Sequence, residues 1–218
     1  MRELTAERPK PLVEVCGRPV LEYVLDALPE SIDSLVIVVK HFGSQIQQHF
    51  GVSYGGRPIQ YIEQGEVAGP GGALFSAQSL LHDRFMVLLA DDLHGPSALK
   101  ELAACKHGLL VAHSETPELF GVATVRDDGT LKAIEEKPEH PQSSLISTGV
   151  MVLDTRIFSY AAAEQGGELL LPHLVNQFAA DVPMALVEQS LWQPVGKPED
   201  IPAAEAFVRE HVAQLKQS

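Results

Sequence analysis

The sequence predicts an α/β protein built on a mixed, mainly parallel sheet with helices on both faces. Two observations carry this expectation. Short runs such as residues 35–39 (LVIVV) and 85–89 (FMVLL) are apolar throughout, as strands covered on both faces are. Amphipathic stretches alternate with these runs, and that rhythm marks strand–helix–strand units.

Taken in order, Val20, Leu21, Val24, Leu25 and Leu28 stand at helical spacing, so residues 20–28 are expected to be a helix. Residues 34–39 follow as a strand, 45–50 as a short helix and 59–62 as a strand. Beyond a glycine cluster, 73–81 reads as a helix, and 85–89 as a buried strand ending on Asp91 and Asp92. A helix over 96–105 leads to a strand over 109–112. The texture then changes. Residues 121–125, 131–135 and 147–153 read as strands, the first two joined into a hairpin by Asp127, Asp128 and Gly129. A helix over 155–164, another over 170–178, strands over 183–187 and 189–192 and a closing helix over 201–216 complete the pattern. Pro198, Glu199 and Asp200 supply the start signal of that last helix. One domain spanning 1–218 is expected, with two lobes, 1–113 and 114–218. Ligands in such sheets collect at the carboxyl ends of the strands.

Composition narrows the function classes. The chain has 218 residues, 45% hydrophobic and 21% charged, with 16 Lys and Arg against 29 Asp and Glu, a net charge of −13. Such a chain buries a sizeable core and is neither disordered nor fibrous. An acidic balance without a basic cluster argues against polymeric nucleic acid and anionic membranes as partners. The longest apolar runs are far short of the about 20 residues a membrane helix needs, and the first residues lack the apolar stretch of a secretory signal, so a cytoplasmic protein is expected. Cys16 and Cys105 show no C-x-x-C spacing, and each reads as a small buried apolar residue. The nine histidines lack H-x-x-x-H spacing, so no zinc site is expected.

Four constellations could carry chemistry. Lys10 lies between Pro9 and Pro11, which restrict the backbone on both sides and would aim an ammonium at a phosphate; a solvated loop lysine is the plain alternative. Gln64 is followed by a glycine-rich turn with Gly69, Pro70, Gly71 and Gly72 and then a helix start. Small residues let backbone amides approach a ligand, and Gln64 offers both a donor and an acceptor to a nucleobase edge; the same glycines equally serve a tight turn. Asp91 and Asp92 end a strand where ligands collect and suit a hard cation held together with phosphates, with Asp91 the preferred ligand and Asp92 a cap or solvated. Glu136 and Lys137 end the hairpin, where a carboxylate suits a sugar hydroxyl and an ammonium a phosphate; solvation is the alternative.

In this order, the pieces resemble the sugar-phosphate nucleotidyltransferases, or NDP-sugar pyrophosphorylases. The matching stretches are Leu4 and Thr5, residues 8–12 (RPKPL), 17–23 (GRPVLEY), Gln64 with 69–74 (GPGGAL), Ala90 and Asp91, 120–122 (FGV), 136–138 (EKP), 147–149 (STG), and Trp192 with 195–200 (VGKPED). They run through nearly the whole chain. The resemblance implies a Rossmann-like fold, also shared with GT-A glycosyltransferases, in which 1–113 bind the nucleotide and 114–218 the sugar. It implies magnesium-dependent attack of a sugar 1-phosphate on a nucleoside triphosphate, UTP or dTTP by family frequency, with release of pyrophosphate. Lys10, Asp91 and Lys137 match catalytic positions, with Asp91 binding the metal. Gln64, Gly69, Pro70 and Gly71 match the nucleotide-binding stretch, and Gly121, Glu136, Lys137 and Thr148 match sugar contacts. Such chemistry rests on positioning and charge neutralisation and needs no protein nucleophile.

Three departures from the family pattern stand out. The family begins with a strand and a glycine-rich loop ending in an arginine, and Met1 falls just after that arginine. An aspartate that often serves as second metal ligand is replaced by Pro194, and the threonine after the base-reading glycine by Pro70. From these follows an alternative, a catalytically silent homologue that binds a nucleotide sugar and regulates a partner. A glycosyltransferase, which would want an Asp-x-Asp pair, ranks third. The oligomeric state, a homo-oligomer included, is not readable from one sequence. The native start is expected about a dozen or more residues upstream, enough for one strand and a phosphate loop. Extending the genomic reading frame checks this: a stop codon directly before Met1 contradicts it.

Overall fold

A computed structural model describes residues 9–161 and 164–215. Leu4, Thr5, Arg8 and Lys216, which figure in the matches and element bounds above, lie outside them. A 3-10 turn at Lys10–Leu12 precedes β1 (Glu14–Val15), β2 (Arg18–Pro19), α1 (Val20–Asp26), β3 (Leu35–Val39), α2 (Gly43–Phe50), β4 (Ser53–Tyr54), β5 (Arg57–Glu63) and α3 (Gly69–Ser76). Then come β6 (Arg84–Val87), β7 (Asp92–His94), α4 (Pro96–Ala104), β8 (Gly108–His113), β9 (Gly121–Val125), β10 (Leu131–Glu136) and β11 (Leu145–Asp154). The chain continues through β12 (Glu164–Gln165), β13 (Glu168–Leu169), α5 (Leu171–Asp181), β14 (Ala185–Glu188), β15 (Trp192–Pro194), α6 (Ile201–Glu210) and α7 (Val212–Leu215).

Two compact units emerge, and neither is continuous in sequence. One holds the described residues within Met1–Glu63, Leu89–Lys100 and Leu191–Ser218; the other holds those within Gln64–Leu88 and Glu101–Ser190. The division expected at 113/114 falls inside the second unit.

In the first unit, β3 and β5 pair in parallel and β4 adds an antiparallel edge. Pro19 fixes the approach to α1, whose Val20, Leu21, Val24 and Leu25 are buried, as the helical spacing requires. Trp192 to Pro194 pair antiparallel with Asp92 to His94, so a strand late in the chain is laced to the pair of aspartates.

The second unit is built on a six-stranded sheet in the order β10-β9-β11-β8-β14, with β6 also paired to β11. The sheets are mixed, as expected, but among the described residues, isolated bridges aside, parallel strand ladders are confined to β3 with β5 and β8 with β14. The reason is β11: after the β9–β10 hairpin this ten-residue strand runs back antiparallel to β6, β8 and β9. The hairpin turn has Gly129 at φ 81, as its Asp-Gly signal requires. Helix α5 lays Leu171, Leu174, Val175, Phe178 and Ala179 on a core that includes Leu109, Leu131, Leu153 and Ile157.

Several boundaries differ from expectation, each for a physical reason. The helix expected from residue 73 begins at Gly69, because Pro70 suits a first turn even among poor helix formers. The helix expected over 155–164 is a 3-10 turn, Thr155–Ser159, capped by Asp154, with Glu164 already in β12. The strand expected over 189–192 starts at Trp192, since Gln189 turns inward to donate to Thr148. The closing helix breaks at His211, whose ring bonds the Phe207 carbonyl. Cys16 and Cys105 are half-buried rather than buried; Cys16 sits at φ 51 in the tight β1–β2 turn. No described helix is long and apolar enough to cross a membrane.

One buried polar group sits apart from the sequence motifs. His107 is buried, and its Nε2 lies 2.8 Å from Asp154, which also receives the Arg156 guanidinium at 2.6 Å. The Arg156 bonds, chiefly, hold the Asp154 carboxyl well below the usual range. Because that pKa is depressed in the folded state, its contribution is present above the ordinary carboxylate range and fades as pH falls below about 4. Asp154→Asn is therefore expected to lower unfolding stability by about 1–2 kcal/mol at pH 7, with the gap narrowing below pH 4 in urea titrations.

Candidate functional site

In the first unit, Pro9 and the 3-10 turn set the direction of Lys10: Leu12 N–H donates to Pro9 O and Val13 N–H to Lys10 O. Its ammonium pairs with the Asp91 carboxylate. Both side chains keep partial access to solvent, 35% and 25%, so the pair is open to a ligand. Strand β6 stops at Val87 and β7 begins at Asp92, which puts Asp91 in the turn between them.

The neighbouring carboxylate has a different fate. Asp92 is 8% exposed and accepts the Trp192 indole N–H at 3.1 Å. Burial, then the charge of Asp91, pushes its carboxyl up to about 7, against the opposing effects of Trp192, Lys10 and Val195. Pro194 lies directly across the ladder from Asp92, and Val195 N–H donates to the Asp91 carbonyl. The β15 ladder, the Trp192 indole and the Val195 amide thus hold both aspartates, leaving only the Asp91 carboxylate half-exposed.

In the second unit, Gln64 caps the turn that follows β5. Its Nε2 donates to Val67 O (3.0 Å) and Gly69 O (3.2 Å), so its amide hydrogens serve the turn and the side-chain carbonyl remains as an acceptor. Ser76 Oγ ties the same turn together by accepting from Gly65 N–H and donating to Gly72 O. Gly69 opens α3 at φ 83, a conformation that favours glycine. Pro70 is exposed and Gly71 buried.

Also in that unit, Gly121 and Glu136 face each other across β9 and β10. A Cβ on Gly121 would come to 2.8 Å of Ile134 and 3.2 Å of the Glu136 carboxylate, so the glycine makes the space in which that carboxylate sits. Lys137 is held at φ 45 with its N–H on Phe120 O; its exposed ammonium stands 3.6 Å from Glu136. Thr148 departs from its expected place among sugar contacts. It is 2% exposed, donates to Leu110 O at 3.0 Å and accepts from Gln189, so its hydroxyl is committed to the core. Strand alternation accounts for this, since Ile146, Thr148 and Val150 share the buried face while half-buried Ser147 faces the other way. Ser147, which the matching stretch 147–149 contains without a role, has its Cβ 3.9 Å from the position a Gly121 Cβ would take. The alternation was its available signal.

Among the described residues no three His, Cys, Asp or Glu side chains gather as a ready metal cage. A divalent cation on Asp91 would therefore complete its shell from phosphate oxygens and water, the usual habit of magnesium.

Comparison with known proteins fits this chemistry. The nucleotidyl transferase family matches residues 1–211, and the chain belongs to that family. The bifunctional protein GlmU of Methanocaldococcus jannaschii is 28% identical over 97% of this chain and 52% of its own length. The UTP–glucose-1-phosphate uridylyltransferase AglF of Haloferax volcanii is 31% identical over 72% of this chain and 68% of its own. The chain spans about half the length of the GlmU relatives it matches. Among solved structures, a Bacillus anthracis protein described as a glucose-1-phosphate thymidylyltransferase superposes with TM-score 0.84 at 25% identity, covering 96% of this chain and 90% of that one. A UDP-glucose pyrophosphorylase shares the fold at TM-score 0.81 and 20% identity, covering 97% and 94%.

Two stability measurements probe these arrangements. Gly121→Ala crowds Ile134 and is expected to cost about 1–3 kcal/mol in chemical denaturation. Trp192→Phe keeps the ring but removes the only indole donor to buried Asp92, and is expected to cost about 1–3 kcal/mol by the same assay.

Proposed function

We propose that the chain is a sugar-1-phosphate nucleotidylyltransferase, joining a nucleoside triphosphate to a sugar 1-phosphate with release of pyrophosphate. The observation that carries this reading is the Lys10–Asp91 pair, a cation and a half-exposed carboxylate side by side in a member of this family. Lys10 neutralises triphosphate charge as the α-phosphorus is attacked, and Asp91 holds the divalent metal, magnesium in this proposal, which supplies further charge neutralisation when bound. Gln64 and the Gly69–Gly71 turn receive the base. Glu136 accepts from sugar hydroxyls and Lys137 meets the sugar phosphate, with Gly121 leaving the room. Thr148, being buried, supports this wall from within.

UTP or dTTP is the proposed nucleotide: relatives include a uridylyltransferase and a thymidylyltransferase. The proposed setting is the cytoplasm, where such triphosphates are held. Pro194 supports a second reading, binding without turnover, because a ring stands across from Asp92 where the family often has a carboxylate.

Pyrophosphate release from UTP or dTTP with magnesium and glucose 1-phosphate tests the proposal. Turnover is expected, with Lys10→Ala and Asp91→Asn each lowering kcat by about a hundredfold or more. Gln64→Ala should chiefly raise the KM for the triphosphate. Nucleotide-sugar binding with no pyrophosphate release from any combination would favour the silent reading.

A further inference from the structure

The glycines of the Gln64–Gly72 turn face protein, not only a prospective ligand. A Cβ on Gly71 would come to 2.6 Å of the Leu169 carbonyl oxygen and 2.9 Å of Leu169 Cγ. On Gly69 it would come to 2.9 Å of the same oxygen and 3.0 Å of Glu168 Cβ. Real Cβ atoms do not sit this close to a main chain, so the two segments touch at a distance only glycine permits. The contact is also hydrogen-bonded: Leu169 N–H donates to Ala68 O at 2.9 Å, and Ala68 bridges Glu168 in parallel. Leu169 is buried, 8% exposed, and belongs to the same core as Leu74 of α3 and Leu171 of α5.

Leu169 is delivered by a small hairpin. Strands β12 and β13 pair Glu164 with Leu169 and Gln165 with Glu168, closed by Gly166 at φ 61 and Gly167 at φ 82. Two successive residues with positive φ make a turn in which the first position tolerates Asn and a β-branched residue is strained. Open space surrounds the Cβ positions of both glycines, so a substitution there acts through backbone conformation alone.

We infer that the β12–β13 hairpin is the positioning element of the base-reading turn, with Leu169 as its positioning residue: the hairpin's main chain forms the wall that holds Ala68 to Gly71, and its order sets nucleotide affinity. The inference rests on the nucleotide reading of Gln64 to Gly71. Neither Leu169 nor the hairpin glycines need touch the ligand.

The test measures magnesium-dependent binding of UTP and dTTP to the full chain by calorimetry, together with hydrogen exchange of the Gly71 and Gly72 amides. Gly166→Val is expected to weaken binding at least fivefold and to speed that exchange at least tenfold, and Gly166→Asn to match the parent in both. Leu169→Ala, which shortens only the side chain against Gly71, is expected to weaken binding at least threefold and keeps the test decisive where Gly166→Val does not fold. Binding and exchange within twofold of the parent in the folded variants overturn the inference, as does Gly166→Asn behaving like Gly166→Val. A parent that binds neither triphosphate overturns the nucleotide reading instead, and the exchange rates then still decide whether the hairpin holds the turn.

Discussion

Two adjacent carboxylates, Asp91 and Asp92, impose the constraint around which the first unit is arranged. Like charges this close cannot both stay ionised in a partly buried setting without separate partners. The chain resolves this by giving Lys10 to Asp91 and the Trp192 indole to Asp92. Each solution recruits a distant segment: a proline-bounded turn before β1 for Asp91, and for Asp92 the indole of Trp192, 100 residues further along the chain. Just after β15, the Val195 N–H donates to the Asp91 carbonyl, so the backbone at Asp91 is held as well as its carboxylate. The pairing therefore sorts the carboxylates, one buried and anchored, one half-exposed beside an ammonium.

Much of this was legible in the sequence because apolar strands and proline constraints are local signals. Residues 35–39 and 121–125 declare themselves as strands, and Lys10 between two prolines declares a fixed direction. What was not legible depended on partners far along the chain. Nothing near Asp92 announces Trp192, and nothing near Gly71 announces Leu169. The long antiparallel β11 was read as a strand, yet its direction follows from which neighbours it pairs with, so the sheet looked more parallel than it is. Thr148 shows the opposite case: its alternation with Ile146 and Val150 pointed inward, and a family match drew it outward.

The acidic total of −13 takes on a more local meaning. The polyanionic nucleotide of the proposed reaction would be repelled by such a surface at long range, though salt limits that repulsion to about 10 Å. Attraction must therefore come from a few cations placed where phosphates would lie. Lys10 is held in an ion pair, so its ammonium is constrained in direction, while Lys137 is fixed at its backbone and keeps an exposed side chain beside Glu136. Pre-set direction matters more than number, since an ordered lysine loses less side-chain freedom on meeting a phosphate.

Glycine carries the remaining argument. A glycine-rich turn is commonly explained by close approach of a ligand, but in this chain Gly69, Gly71 and Gly72 each lack room for a Cβ because of protein atoms, the carbonyls of Leu169 and Val67. A requirement imposed by packing does not exclude one imposed by a ligand, because each glycine has more than one side. It does change what a substitution reports. Loss of binding in a Gly71 variant would read displacement of the turn before it read a clash with nucleotide, whereas Gln64, held by two carbonyls of that turn, would move with it. Ligand contact and turn position can be separated only from the hairpin side, where the geometry is altered without touching the glycines themselves.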